Sequence, residues 1–267
     1  MWEDMIRAIL LGVVQGVTEW LPISSTGHLI LLERWLSMDV SAAFASLFRV
    51  AVQLGSIFAV LVLYFHRLNP FSRQKTAPDR RACRSLWGKI LLACLPAAVA
   101  GLLLDDWLDA HLYNATTVAA ALIVYGFAFL LLERMRKTPR VTAAEGIGAP
   151  TALGIGAFQM LSLIPGTSRS GSTMLGAMAL GAARPAAAEF SFFLAIPVML
   201  GAGALKLVKF GAPLSGEEFL LLAAGMSTAF FTSLLVIRFL LDFVRRHTLV
   251  PFALYRIALG ALVLALG

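Results

Sequence analysis

Two apolar stretches of this chain, 5–37 and 150–182, are each broken halfway by a polar run containing Gly and Pro. The first break reads Gln15-Gly16-Val17-Thr18-Glu19-Trp20-Leu21-Pro22-Ile23-Ser24-Ser25-Thr26-Gly27-His28. The second reads Pro165-Gly166-Thr167-Ser168-Arg169-Ser170-Gly171-Ser172-Thr173. Each half is too short to cross a bilayer core, which takes roughly 20 helical residues. Irregular backbone at membrane depth persists only where protein buries it or where it lines a wet cavity. The pattern therefore predicts two re-entrant helical hairpins whose tips meet something polar.

The rest of the chain supports a membrane setting. It is 59% hydrophobic and 14% charged, with mean hydropathy +0.83. Soluble domains are nearer 45–50% apolar and about 25% charged, and so apolar a chain is not disordered. Period-2 alternation is absent, which argues against a barrel. Six further segments are apolar enough to span: about 43–65, 86–104, 115–133, 187–209, 217–241 and 250–267. The expected fold is an all-α polytopic membrane protein, with six transmembrane helices and two re-entrant hairpins in one integral domain, 1–267.

The net charge of +7 does not call for nucleic acid, because the basic residues flank the spans. Residues 66–89 carry Arg67, Arg73, Lys75, Arg80, Arg81, Arg84 and Lys89 against Asp79. Residues 133–149 carry Arg134, Arg136, Lys137 and Arg140, and the fifth span is followed by Arg238, Arg245 and Arg246. The loop at 105–114 instead has Asp105, Asp106 and Asp109. The positive-inside rule puts the three basic loops in the cytoplasm and both termini outside. The N-terminus lacks a signal-peptide pattern, and Cys83 and Cys94 form no disulfide or metal motif.

The two breaks are also related to each other. A shift of 144 positions lays Gly12 on Gly156, Gln15 on Gln159, Ser24 on Ser168 and Gly27 on Gly171. Phe48 and Ala51 fall on Phe192 and Ala195. Three spans separate the hairpins, so repeat one (about 5–65) and repeat two (about 150–209) are expected in inverted topology. Such repeats place broken helices, and the site between them, near the midplane. That geometry suits a transporter as well as an enzyme.

The chemistry at the tips narrows this choice. Arg7 and Glu19 are the only charged residues in 5–32, and Arg169 is the only one in 150–182. Ionisable groups at bilayer depth are functional candidates by default, although Glu19 and Arg169 also suit a structural ion pair. Around them stand Gln15, Thr18, Ser24, Ser25, Thr26, His28, Ser168, Ser170 and Thr173. Hydroxyls serve as helix glue or caps. In this number, beside one guanidinium, they fit a bed for phosphate oxygens. Ser25, His28 and Glu19 supply the ingredients of nucleophilic catalysis, a grouping a pure carrier does not need. Gln15 and Glu19, four apart, share a helix face and suit a divalent cation completed by substrate oxygens.

Taken together these motifs resemble the bacterial undecaprenyl-diphosphate phosphatase family, the bacitracin-resistance proteins, over essentially the whole chain. The likeness extends to Val52-Gln53-Leu54-Gly55-Ser56 and Glu189-Phe190-Ser191-Phe192-Phe193-Leu194-Ala195-Ile196-Pro197. It implies hydrolysis of the C55 polyprenyl diphosphate to monophosphate and inorganic phosphate in the bacterial plasma membrane. It also implies a divalent cation (Mg2+ or Ca2+), a site open to the outer face, and bacitracin resistance. A polyprenyl-phosphate flippase is the rival expectation; the sequence leaves the oligomeric state open, with a homodimer one option. Carried over by position, Glu19 is the essential acid, Ser25 the nucleophile, His28 an acid/base and Arg169 the phosphate binder. Ser24, Thr26, Gln53, Ser168, Ser170 and Thr173 are the substrate contacts, with Gln15 and Glu19 on the metal. The resemblance leaves the nucleophile open between Ser25, His28 and water. Gln15 stands where many members have Glu, and Arg49 where an acid is expected; the latter reads as a snorkelling surface residue.

Overall fold

The computed structural model describes residues 2–135, 138–211 and 213–266, without the side chains of 30, 33–35, 105, 106 and 109. Arg136 and Lys137, and the side chains of Asp105, Asp106 and Asp109, therefore lie outside the described residues. The described chain is helical throughout. In order come α1 (Trp2–Thr18), α2 (Ser25–Leu36), α3 (Ala42–Leu63), α4 (Phe65–Leu68), α5 (Ala77–Leu112) and α6 (Ala115–Arg134). These are followed by α7 (Ala149–Met160), α8 (Arg169–Ala179), α9 (Arg184–Phe210), α10 (Gly216–Arg246) and α11 (Val250–Leu266).

Five of these are long and apolar enough to cross a membrane: α3, α5 up to Leu104, α6, α9 and α10. The sixth expected span, α11, is a shorter apolar helix of 17 residues. Two helices start at capping boxes, and in α5 the box sets the start well ahead of the apolar segment. Thr76 and Asp79 form a capping box that starts α5 at Ala77, nine residues before the expected span. A second box, Ser215 with Glu218, starts α10 at Gly216, where its span was expected to begin. Each box satisfies two backbone N–H groups that the first helical turn otherwise leaves orphaned.

Small residues set the helix packing. α1 lies against α10, and a Cβ at Gly12 would sit 2.5 Å from the Gly225 carbonyl. α7 lies against α5 in the same manner, and a Cβ at Gly156 would sit 2.4 Å from the Ala93 carbonyl. Such close approach replaces the hydrophobic drive that lipid does not supply. α6 pairs with α11, and α3 packs on both α9 and α10. The largest apolar core gathers Trp20, Tyr125, Phe129, Phe190, Phe192 and Phe193 around the hairpin tips. Large apolar side chains such as Val62, Val124, Leu131, Phe231 and Leu235 face outward. A surface of this kind suits lipid rather than water.

The loops are pinned by charge and main chain. Arg67 on α4 donates to both Glu145 and Glu189. Arg184 at the start of α9 forks onto Glu133 at the end of α6, and Glu133 also accepts from the Leu249 N–H. The strand-like bridge between Val141 and Ala182 ties the loop after α6 to the loop after α8. Outside the spans, the hydrogen bond from Arg67 holds the Glu145 carboxyl below its ordinary value. The same contact, with a second from Glu189, holds the Arg67 guanidinium above its own.

Candidate functional site

Both broken stretches fold as short helix, tight tip, short helix: α1 into α2, and α7 into α8. The reversals occur at equivalent points. Ser24 (φ 71°) and Ser168 (φ 70°) are the only non-glycine residues with positive φ among the described residues, and they are the pair matched by the sequence shift. Serine rarely adopts this backbone. It costs on the order of 1–3 kcal/mol and concentrates at functional sites. Gly166 takes φ +94°, and a Cβ there would sit 2.5 Å from the Val118 carbonyl, so the second tip fits against α6 only as glycine.

The two tips enclose a cavity of about 230 Å³. Thr18, Glu19, Ser24, Ser25 and Thr26 line it from the first tip. Gly166, Ser168 and Arg169 line it from the second, with Gln53 from α3 and Ser162 before the tip. The lining therefore includes the N-terminal residues of two helices, α2 and α8. Helix starts carry unpaired N–H groups and a partial positive charge, and together they make an anion site. Ser168 caps α8 by accepting from the Gly171 N–H at 3.2 Å.

Glu19 and Arg169 meet across the tips. Arg169 Nη2 donates to Glu19 Oε1 at 2.8 Å, and Gln15 Nε2 donates to Glu19 Oε2 at 2.9 Å. Arg169 Nη1 donates to the Ser191 carbonyl at 2.7 Å, and its guanidinium lies 5.8 Å from the Trp20 ring centroid. Its Nε is buried and has no hydrogen-bond partner among the described residues. The ion pair allowed by the sequence thus forms, and it forms in the wall of a polar cavity rather than in a dry core.

Several expected site residues are turned elsewhere. His28 is not in the cavity wall. Its Nδ1 must donate to the Ser24 carbonyl (2.7 Å), which leaves Nε2 to accept from Tyr255 Oη (2.7 Å). The ring stacks on Tyr255 beside a separate apolar groove, so in this geometry it is not the base for Ser25. Thr173 is fully buried and bonds to Ser191 Oγ at 2.7 Å. Ser170 is buried and donates to the Leu21 carbonyl at 3.2 Å. Ser170 thus stitches the second tip to the first from behind, Thr173 ties α8 to α9, and both are absent from the cavity lining. Gln15 acts on Glu19 as a donor, which makes it a holder of the carboxylate rather than a second ligand beside it. Arg49 is exposed on α3, as its snorkelling reading requires, and His66, His111 and His247 are exposed too.

The sequence reading missed Arg256. It is fully buried on α11, with Nη1 on the Pro22 carbonyl (3.0 Å) and Nη2 on the carbonyls of Gly166 (3.0 Å) and Thr167 (2.9 Å). The signal was present: Arg256 is the only charged residue in 250–267, the same criterion that marked Arg169. Ser191, which receives both Arg169 and Thr173, gave no such signal because a serine in an apolar helix is commonplace.

A cation site needs a separate test. No cluster of three or more His, Cys, Asp or Glu occurs among the described residues, and Glu19 is the one carboxylate in the cavity wall. That donor set makes no cage by itself. It does suit a hard divalent ion held by one carboxylate with substrate phosphate oxygens completing the shell.

Fold and site together define a multi-helix membrane protein with an anion-adapted cavity between two short helix starts. Sequence comparison narrows that class. Residues 8–262 match the family described as bacitracin resistance protein BacA. The chain is 49% identical to an undecaprenyl-diphosphatase of Enterococcus faecalis, covering 99% of this chain and 98% of the relative. It is 51% identical to one of Streptococcus mutans (99% and 96%) and 50% identical to one of Lactiplantibacillus plantarum (98% and 97%). The chain belongs to the BacA family and is a multi-pass membrane protein.

Proposed function

We propose that the chain hydrolyses undecaprenyl diphosphate to undecaprenyl phosphate and inorganic phosphate. This returns the lipid carrier to cell-wall synthesis and removes the target of bacitracin. The observation that carries the reading is the cavity in which two helix N-termini, Arg169 and Glu19 converge. Relatives at about half identity carrying this activity in their names agree with it.

In this reading the diphosphate occupies the cavity and the prenyl chain leaves along the apolar groove beside it. That groove, about 510 Å³, is lined by Val13, Val17, Leu21, Ile23, Phe252 and Tyr255 and shares Thr18 with the cavity. Arg169 turns its fork from Glu19 toward the phosphoryl oxygens, a planar match for phosphate. The N–H groups at the start of α2 and α8, with the Ser24, Thr26 and Ser168 hydroxyls and the Gln53 amide, complete the cradle. Ser25, in the cavity wall at the first residue of α2, attacks the terminal phosphorus as the bond from that phosphorus to the bridging oxygen breaks. Undecaprenyl phosphate leaves, its freed oxygen taking the serine proton, and water then cleaves the phosphoserine to release inorganic phosphate and restore the hydroxyl. Glu19 and the neighbouring hydroxyls would hold a Mg2+ or Ca2+ ion, which supplies neutralisation of the diphosphate charge. Phosphoryl transfer needs positioning and electrostatic stabilisation far more than covalent help, and those are what the tips offer.

The topology of this proposal has α3, α5, α6, α9, α10 and α11 spanning the membrane. The pairs α1–α2 and α7–α8 are re-entrant hairpins of an inverted repeat. Three observations support it. The reversals share one rare serine conformation, α1 meets α10 as α7 meets α5, and the basic clusters at 66–89, 133–149 and 238–246 fall on one side of such spans. Both termini then lie outside the plasma membrane, and the cavity opens to the outer face.

The test is phosphate release from C55 diphosphate by purified protein in detergent, with Arg169→Ala and a chelator as comparison arms. Release that is lost in both arms is expected. Intact substrate moved across a vesicle membrane without release would replace the hydrolase with a carrier.

A further inference from the structure

Arg256 stands in an unusual electrical position. It is fully buried in an apolar helix, and among the described residues no carboxylate pairs with it. Its partners are three main-chain carbonyls: Pro22 in the first tip, Gly166 and Thr167 in the second. It lies 5.3 Å from the centroid of the Tyr125 ring, and Tyr125 Oη accepts from Ser172 Oγ at 3.1 Å. A second feature makes room for it: a Cβ at Gly171 would sit 3.0 Å from Arg256 Nη1 and 3.2 Å from Ser168 Cβ. Glycine at 171 thus lets the guanidinium reach the back of the α8 cap.

A buried charge without a counter-charge is costly, more so at membrane depth. Stapling three carbonyls does not by itself require a charge, since a neutral amide also donates. The one carboxylate nearby, Glu19, already faces Arg169. What remains to balance Arg256 is an anion in the cavity, whose wall includes Gly166 and Ser168. The peptides themselves carry the effect. Arg256 polarises the Thr167 carbonyl, and across that trans peptide the Ser168 N–H points the opposite way. A hydrogen bond on one side of a peptide strengthens the donor on the other.

We propose that Arg256 is a positioning residue of the phosphate site. It holds the two tips in register and supplies, from behind, a second positive charge that the bound diphosphate balances. The inference rests on reading the cavity as the diphosphate site. Its test is arranged to fail separately from that reading.

The probe is inorganic pyrophosphate, with its binding to detergent-solubilised protein measured by calorimetry alongside phosphate release from C55 diphosphate. Arg256→Gln keeps donors and loses the charge; Arg256→Lys keeps the charge and loses the fork. Arg256→Gln is expected to weaken pyrophosphate binding about 10-fold or more, the scale of one charge-assisted contact. Arg256→Lys is expected to stay within about 3-fold in binding while its kcat falls. Equal pyrophosphate affinities in the two variants would overturn the charge role and leave only a staple. Should both variants fail to fold, Gly171→Ala tests the register by displacing the guanidinium: a lowered kcat supports the proposal, and wild-type kcat overturns it. A wild-type protein that releases no phosphate, yet binds pyrophosphate more tightly than Arg256→Gln, keeps this inference and overturns the hydrolase reading.

Discussion

Two regions of the molecule treat their well-bonded arginines differently. Beside the loops, Arg67 faces Glu145 and Glu189, and Arg184 forks onto Glu133. At the hairpin tips, Arg169 and Arg256 have one carboxylate between them, and Arg169 takes it. Charges at the loops are closed within the protein and lock elements together. Charges at the tips are left in excess, beside two helix starts and strained serines, and that excess is what an anionic substrate completes. Balanced pairs hold a fold; an unbalanced set defines a site.

The largest effect that sharpens this contrast lies at Arg169. Arg169→Lys keeps the charge but loses the fork, and kcat should fall by roughly 10²–10³-fold, the scale of a lost oxyanion donor. The melting temperature should change little. Arg184→Lys, at a balanced pair, should do the reverse: a lower melting temperature with kcat within about 3-fold of wild type, because its loss is structural. Reversal of that pattern would break the contrast.

Ser25→Ala comes next. Steady-state phosphate release should drop by about 10²-fold or more, as expected for loss of an attacking group. Thr173→Ala, which removes a hydroxyl turned onto Ser191, should cost stability, about 1 kcal/mol in denaturant unfolding for one buried hydrogen bond. A smaller effect is expected at His28. His28→Ala should lower kcat/KM less than 10-fold, since in this structure the imidazole serves Tyr255 and the Ser24 carbonyl, whereas a general acid–base contributes roughly 10²–10⁴. Loss on that larger scale would restore it as acid/base.

The smallest effect belongs to the loops. Because Arg67 holds the Glu145 carboxyl below its ordinary value, the pair contributes stability that is complete above the unfolded pKa. That contribution is lost as pH falls through the lower folded one. Glu145→Gln should therefore lower the melting temperature slightly at neutral pH, and the difference should shrink below about pH 4. Activity at neutral pH should be unchanged.

Much of the architecture was legible because membrane constraints write themselves into long apolar runs. Five expected spans are apolar helices in the structure, although α5 starts earlier because a capping box carries it into charged sequence, and α10 continues past its apolar segment to Arg246. The polar breaks marked both tips, and equivalence of Ser24 and Ser168 appears again in their backbone. Side-chain direction was not legible. Ser168, Ser170 and Thr173 read alike in one motif, yet only Ser168 lines the cavity. The phase of α8 is set by distant partners, Leu21 and Ser191. His28 sits one turn into α2, and its direction is fixed by Tyr255, 227 positions away. The tips also diverge where the repeat does. Leu163 stands where repeat one has Glu19, so the buried Gln159 amide has no carboxylate to hold and makes no hydrogen bond among the described residues.

In the proposed site the diphosphate head sits between the two tips, and a single thiol there can report it. In a background with Cys83→Ala and Cys94→Ala, Thr26→Cys places one thiol in the cavity wall, and its labelling by a water-soluble maleimide can be timed. A non-hydrolysable prenyl bisphosphonate should slow that labelling strongly, while a control thiol at Thr138→Cys in the loop after α6 should react at an unchanged rate. Equal labelling at Thr26→Cys with and without the bisphosphonate, under conditions where it inhibits phosphate release, would place the substrate elsewhere and contradict the account.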